Sequence, residues 1–488
     1  MTPEISSKQH ERRWLILAMV GVAQLMVVLD ATIVNIALPS AQRALGFSND
    51  SRQWVVTAYA LAFGSLLLIG GRIGDYFGRK RALITGLLGF ALASALAGLA
   101  QSFDVLVVAR AMQGAFGALL APSALSILTT AFTDPKERGK AFGIYGAIAG
   151  GGGAIGLLLG GVLTQYIDWR STLFVNLLFA VPAAVAAFVL LFNERPEVRP
   201  RLDVPGALTA TSGLFALVYG FSNAETHGWG AQLTLAALAG SAVLLGAFAV
   251  LQARGKHPLL PPRVLLDRDR GASFGAMAIA GSGSFGVFLF LTYYLQRTLD
   301  FSPVSTGLAF LPMMAAVVTS ATLISTKVLP RTGPRPLVPT GMLLAGFAML
   351  GLTGVGVNTG YASHVLPFLL VMGVGMGMIF APSMATATGN VEPEDAGVAS
   401  ALVNTMQQVG GSIGVALLST FSASAASGFV ASHGGPSPAT VAGAAVHGYT
   451  TAFWWAAGIF FFGALFTSLL LRSGAQELDG AGAPVLAH

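Results

Sequence analysis

The stretch ERGKAFGIYGAIAGGGGAIG (137–156) decides the architecture, because DAGVASALVNTMQQVGGSIG (395–414) restates it. Gly139, Ala141, Gly152, Gly153, Ile155 and Gly156 find counterparts in Gly397, Ala399, Gly410, Gly411, Ile413 and Gly414, at an offset of 258 residues. Working outward, Ala121-Pro122-Ser123 is echoed by Ala381-Pro382-Ser383, with Gly117 against Gly377, at an offset of 260. Gly78 and Gly86 pair with Gly333 and Gly341 at 255. Three echoes in one order at nearly one offset imply two homologous halves. The segments are too apolar for water, so the duplication reads as two membrane-embedded bundles of a secondary transporter, with the substrate site between the repeats near the bilayer midplane.

Composition points the same way. Of 488 residues, 54% are hydrophobic and 10% charged, against about 25% charged in a soluble domain. The 61 glycines suit helices that pack through small residues, since lipid supplies no hydrophobic drive for their association. With no Cys, disulfides, thiolate metal sites and cysteine catalysis are excluded. The net charge of +6 reflects where basic residues sit relative to the membrane and is no sign of nucleic acid.

Taking about 20 apolar residues per span, helices are predicted near 15–38, 54–72, 82–100, 104–130, 140–166, 171–192, 205–222, 231–252, 272–296, 303–326, 337–357, 364–388, 397–424 and 449–472. The Gly-rich segments after Gly139 and Gly397 are the least regular candidates. With the N-terminus inside, inner segments hold 22 of the 27 Lys and Arg, and outer segments hold Arg43, Arg52, Arg170 and Arg297. Both termini are thus expected in the cytoplasm of a cell with this protein in its plasma membrane. The expected organisation is an N-terminal six-helix bundle (1–200), two extra helices and a linker (201–270), a C-terminal six-helix bundle (271–475) and a short tail (476–488). The first apolar run is long enough to span and lacks a small-residue cleavage site, so it is expected to be retained. The tail after Arg472 is polar, rich in small residues and expected to be disordered.

Ionisable residues within a span are functional candidates, because each costs several kcal/mol unless paired or hydrated. Asp30, in LMVVLDATIVNIALP, and Arg110, in VVARAMQGAFGALLAPS, are the two clear cases. They fall about 12 Å and about 9 Å below the outer ends of their helices at 1.5 Å per residue. At matching depth a carboxylate beside a guanidinium can take up a proton: burial disfavours the ionised form, the cation favours it, and access to water decides. The same pair also fits a permanent salt bridge that fixes the bundle. At offset 260 Arg110 meets Leu370, which confines this chemistry to the N-terminal half and leaves substrate contact to the other.

Gln113, Gly114 and Gly117 share a helical face with Arg110. Gln113 and Asn35, together with Asn404, Gln407 and Gln408, are polar at depth, whereas Tyr293, Tyr294, Phe310, Met313, Met376 and Phe380 offer apolar area. This set suits a lipophilic ligand with few hydrogen bonds, and each residue singly also fits interhelical bonding or ordinary core. In GGRIGDYFGRKRAL (70–83) Asp75 lies four residues before Arg79, with Gly74 and Gly78 permitting a tight turn. The cluster reads both as a topology signal and as a latch that pairs in one state and releases in another.

On these motifs the chain resembles the major facilitator superfamily, specifically its fourteen-helix drug:proton antiporters, over nearly its whole length. LDATIVNIALP matches the first-helix signature, GRIGDYFGRKR the loop after helix two, and RAMQGAFG the fourth-helix motif. The resemblance implies an all-α fold of two six-helix bundles plus two extra helices, proton coupling by Asp30 and Arg110, and a conformational latch with Asp75 and Arg79. It also implies that lipophilic drugs leave as protons enter, with a proton gradient in place of any cofactor. The fifth-helix motif is present as Gly152, Gly156, Gly160 and Gly161, but Leu157 replaces the usual Pro after Gly156. Ser171 and Leu178 stand where relatives often show Trp and Pro. No C-terminal span carries an acidic residue, which disfavours a pump dedicated to dications.

Other functions fit less well. No HExxH or GxSxG occurs, and the seven His lie in loops, near helix ends or in tails, so an intramembrane enzyme lacks its constellation. GxGxxG at Gly151, Gly153, Gly156 and at Gly281, Gly283, Gly286 sits inside apolar helices, not between a strand and a helix, so no nucleotide is expected. A proton-coupled importer or facilitator of a small organic nutrient remains the alternative, because uptake could use the same Asp30.

Overall fold

The computed structural model describes residues 12–48, 51–132, 134–192, 203–255, 258–389, 391, 395–435 and 437–472. Among them run fourteen helices of at least 16 residues. In chain order these are α1 (Arg13–Leu45), α2 (Trp54–Phe77), α3 (Arg79–Gly98), α4 (Phe103–Ala131), α5 (Pro135–Tyr166), α6 (Ser171–Leu190), α7 (Val204–His227) and α8 (Gln232–Arg254). The second half continues with α9 (Arg268–Tyr293), α10 (Pro303–Leu323), α11 (Leu337–Leu352), α12 (Leu366–Thr388), α13 (Ala396–Ser432) and α14 (Pro438–Leu470). Wide turns extend α9 to Thr298 and α10 to Val328, and another leads into α12. Eleven helical segments among the described residues are long and apolar enough to cross a membrane, and Trp54–Leu67 and Leu337–Leu352 are shorter apolar ones. Leu92, Leu178, Phe188 and Val243 lie largely exposed, which a lipid environment tolerates.

Local chemistry sets the ends. Ser102, Asp203, Asp267, Ser302 and Ser437 each accept a hydrogen bond from the backbone N–H three residues on, satisfying donors that a helix start leaves free. Pro follows the cap directly in α10 and α14 and one residue later in α7, where its missing N–H costs nothing. α1 continues through Pro39 to Gly46, whose left-handed φ of 68° closes it. The loop glycines Gly78 and Gly333 both take positive φ, 97° and 71°, so the duplication extends to backbone conformation. Both Gly-rich segments form unbroken helices, α5 and α13. With Leu157 in place of Pro, α5 keeps its hydrogen-bond ladder.

The halves repeat one packing scheme. α1 packs with α5 and α6, α2 with α4, and α3 with α4 and α6; α9 packs with α13 and α14, α10 with α12, and α11 with α12 and α14. Between halves α2 packs on α13 and α5 on α10, contacts that the duplication interchanges. The inserted pair α7–α8 is joined by Asn223 Nδ2 to Thr234 Oγ1 (2.8 Å) and Ser241 Oγ to Gly213 O (2.8 Å). α7 lies along both α2 and α13, with Thr211 Oγ1 donating to Ser65 O at 3.2 Å. It therefore covers one of the two seams between halves. Expectations for the tail after Arg472 and for the Asp75 side chain lie outside the described residues.

The four glycines of α5 divide between two partners. Gly152, Gly156 and Gly160 recur every four residues on one face and press on α1: a Cβ at Gly152 would stand 3.2 Å from Leu25 and Val28, and one at Gly160 2.9 Å from Ile33 O. Gly161 points the other way, where a Cβ would stand 2.8 Å from Val304 Cα on α10. One helix thereby builds its own bundle and the seam between bundles.

Candidate functional site

Asp30 and Arg110 meet inside the N-terminal bundle, 0% and 1% exposed, with Arg110 Nη1 to Asp30 Oδ2 at 2.5 Å. α1 and α4 run in opposite directions, so equal depth from the same face brings them together. Arg110 Nε donates to Val55 O (3.1 Å) and Nη1 also to Gln113 Oε1 (2.9 Å), while its guanidinium lies 4.5 Å from the Tyr59 ring centre. Asp30 Oδ1 accepts from Gln113 Nε2 at 3.0 Å and from Asn176 Nδ2 at 2.7 Å. Both amides reach on to Ser94 Oγ, at 2.7 and 3.3 Å. Side chains and backbone from five helices thus meet around one carboxyl–guanidinium pair.

Sequence reasoning missed Tyr59, Ser94 and Asn176. The available signal was a lone Asn in LFVNLLFAVP, since an amide in an apolar span needs a partner. Gln113, expected at the substrate cavity, is instead wholly buried in this network because it follows Arg110 by one turn.

The other expected cavity residues divide. Tyr294 donates to Gly356 O (2.8 Å) and Phe310 packs on Phe288 (ring centres 5.1 Å), both inside the C-terminal bundle. Met313 is buried there with its carbonyl against Gly373, and Met376 faces Ser284 Oγ at 3.9 Å. Phe380, Asn404, Gln407 and Gln408 are half-buried. Gln408 faces α2 at Gly64, beside Thr405, whose Oγ1 donates to Gly64 O at 3.1 Å. Asn35 is buried and bonds back to Ala31 O at 3.1 Å.

Tyr293 lies at the boundary. The Arg52 guanidinium, on a residue 6% exposed at the start of α2, stands 4.0 Å from its ring centre and 5.8 Å from that of Phe290. Close by, Gln296 Nε2 donates to Ile36 O at 3.0 Å, and Val304 N donates to Gln165 Oε1 at 3.2 Å. Along this face the halves are sealed. In the loop after α2, Arg79 Nη1 donates to Ser126 O at 3.3 Å and Ser123 Oγ packs on Gly74.

The sequence profile of the Major Facilitator Superfamily matches residues 20–415. The chain belongs to this superfamily. Among superfamily relatives, it is 49% identical over 473 residues to the puromycin resistance protein pur8 of Streptomyces alboniger, covering 96% of this chain and 94% of that one. It is 39% identical to the cephamycin export protein CmcT of Amycolatopsis lactamdurans (83% and 84% covered) and 34% to the tetracenomycin C resistance and export protein of Streptomyces glaucescens (85% and 76%). In fold it is similar to a bacterial homolog of the human lysosomal transporter Spinster, inward-facing and occupied (TM-score 0.65, 18% identity, 94% and 96% covered). It is similar also to an auto-inhibited POT family peptide transporter (TM-score 0.69, 17% identity, 96% and 98% covered).

Proposed function

We propose that this chain exports lipophilic antibiotics across the plasma membrane by alternating access, driven by protons moving inward, with fourteen spans and both termini in the cytoplasm. The observation that carries the reading is the Asp30–Arg110 pair, wholly buried in one bundle of a duplicated transporter. Ionised, the pair is neutral. Protonating Asp30 leaves Arg110 as an uncompensated buried cation, and breaking a buried pair costs about 3–5 kcal/mol. That cost is relieved by opening the site to water, which links proton uptake to movement between the bundles. The relatives named for antibiotic resistance and export favour export over nutrient uptake. No enzymatic step, cofactor, metal or nucleotide enters this reading. Half-buried Phe380, Asn404, Gln407 and Gln408 are the proposed substrate contacts, with Gly74, Asp75, Gly78 and Arg79 as the latch.

The test uses proteoliposomes with an imposed pH gradient and a panel of lipophilic dyes and antibiotics. One coupled proton per substrate supports about tenfold accumulation per pH unit, the equivalent of ~1.4 kcal/mol. Asp30→Asn should insert normally and abolish this accumulation. Gradient-driven accumulation that persists in the folded variant removes Asp30 from the mechanism; proton and substrate moving in the same direction makes the protein an importer.

A further inference from the structure

We propose that Asn176 is a positioning residue for the proton on Asp30: its amide donates to the ionised carboxylate and, turned over, accepts from the protonated one. This rests on the reading of Asp30 as the proton-binding group.

The argument is one of satisfied and unsatisfied atoms. The ionised carboxylate accepts from three donors, Arg110 Nη1, Gln113 Nε2 and Asn176 Nδ2. A proton arriving from water adds an O–H bond at Asp30, and that O–H needs an acceptor. Gln113 Oε1 is already held by Arg110 Nη1 at 2.9 Å, and Ser94 Oγ already accepts from both amides. Asn176 Oδ1 is buried and has no partner among the described residues. A buried acceptor left open costs about 1–3 kcal/mol, a cost that a proton on Asp30 would remove. A half-turn about the Asn176 Cβ–Cγ bond exchanges Nδ2 for Oδ1 without moving the helix, so one side chain serves both protonation states. The charged or titratable groups facing Asp30 among the described residues are Arg110 from α4 and Tyr59 from α2; α3 and α6 contribute the uncharged Ser94 and Asn176, and α5 its glycine face.

Hydrogen bonds to charged groups outweigh those to neutral ones, so removing the amide penalises the ionised form more. Asn176→Leu keeps the volume and Asn176→Ser keeps a small polar group too short to reach; both are purified alongside the parent protein and checked for thermal unfolding. Infrared titration follows the C=O band of the protonated carboxyl, assigned to Asp30 by its loss in Asp30→Asn. The expected result in either folded variant is a midpoint about one pH unit higher, tenfold in proton affinity, with the band moved toward the frequency of a carboxyl lacking an acceptor. An unchanged or lowered midpoint in folded variants overturns the proposal, because a packing role moves neither observable. The band reports on Asp30 whether or not protons drive export. A shifted midpoint alongside failed Asp30→Asn transport results therefore defeats the antiport reading alone, and an unshifted midpoint with coupling lost in Asp30→Asn defeats this inference alone.

Discussion

Replacing Arg52 by Ala should unseal the face that the proposed topology places outside. The side chain belongs to the N-terminal half and the rings of Tyr293 and Phe290 to the C-terminal half, at 4.0 and 5.8 Å from the guanidinium. With Arg52 only 6% exposed, the cation–π contact works in a desolvated setting and is worth about 2 kcal/mol. Losing it shifts the closed-to-open equilibrium roughly 30-fold. The bonds from Gln296 to Ile36 O and from Val304 N to Gln165 survive and cap the effect. Arg52→Lys keeps charge but not the planar face, and should fall between.

The chain has no Cys, so a single introduced thiol reports without background. Asn35→Cys, beneath the seal and 6% exposed in the parent, should react slowly with a membrane-impermeant maleimide added from outside, and at least tenfold faster with Arg52→Ala. Ser48→Cys, on the exposed α1–α2 turn, should react equally in both. Unchanged labelling at position 35, with position 48 reactive, would refute the assignment of this cluster as the seal. Failure of Ser48→Cys to react from outside would refute the proposed orientation.

Two glycines five residues apart should behave differently. Gly156→Leu drives a side chain into Thr32 and Leu29 of α1, an overpacking of about 1–3 kcal/mol, and should lower the unfolding temperature of the purified protein. Gly161→Leu meets the α10 backbone instead and should leave that temperature nearly unchanged while raising Asn35→Cys labelling from outside; equal destabilisation by both variants would contradict the division of faces on α5. A photoreactive lipid probe should label Val318 and Leu323 of α10, which are 45% and 47% exposed, in preference to the α2–α13 seam that α7 covers; equal labelling of both seams would mean that α7–α8 does not shield its side from lipid.

The duplication was legible because glycines report contact between backbones. Gly152, Gly156 and Gly160 meet α1, and Gly410 and Gly414 meet Ala278 and Ser282 of α9, so the same close approach recurs wherever the residue recurs. Helix ends were less legible. The span predicted at 15–38 falls short of α1, which runs through Pro39 to Leu45 under a Gly46 cap; the one predicted at 449–472 starts late, because α14 begins at Pro438 under a Ser437 cap. The ion pair was legible because a charge in an apolar span is rare. Asn176, Ser94 and Tyr59 were not, because amides and hydroxyls occur throughout such helices and their role depends on helix rotation. Arg52 counted as a loop charge in the sequence, and only its position at the start of α2, against α9, reveals that it is buried.

Packing also corrects the correspondence between halves at the site. Gly114 approaches α2 at Tyr59 and Phe63, and Gly373 approaches α10 at Met313 and Ala316; aligning these two contacts sets Arg110 against Leu369 instead of Leu370. Gly152 against Val28, matched with Gly410 against Ala278, likewise sets Asp30 against Ala280. Both counterparts are fully buried, whereas Leu370 is 41% exposed. Where one bundle holds a carboxylate, a guanidinium and their polar partners, the other holds the buried apolar side chains of Ala280 and Leu369. Apolar side chains have no protonation states, so on the proposed role of Asp30 a proton changes the charge of the N-terminal bundle while leaving its mate as it was. On the proposal that Asp30 takes up the coupling proton, two bundles of matching shape but unequal response can move against each other when it arrives, with the C-terminal surface free to differ in substrate contacts at no cost to coupling.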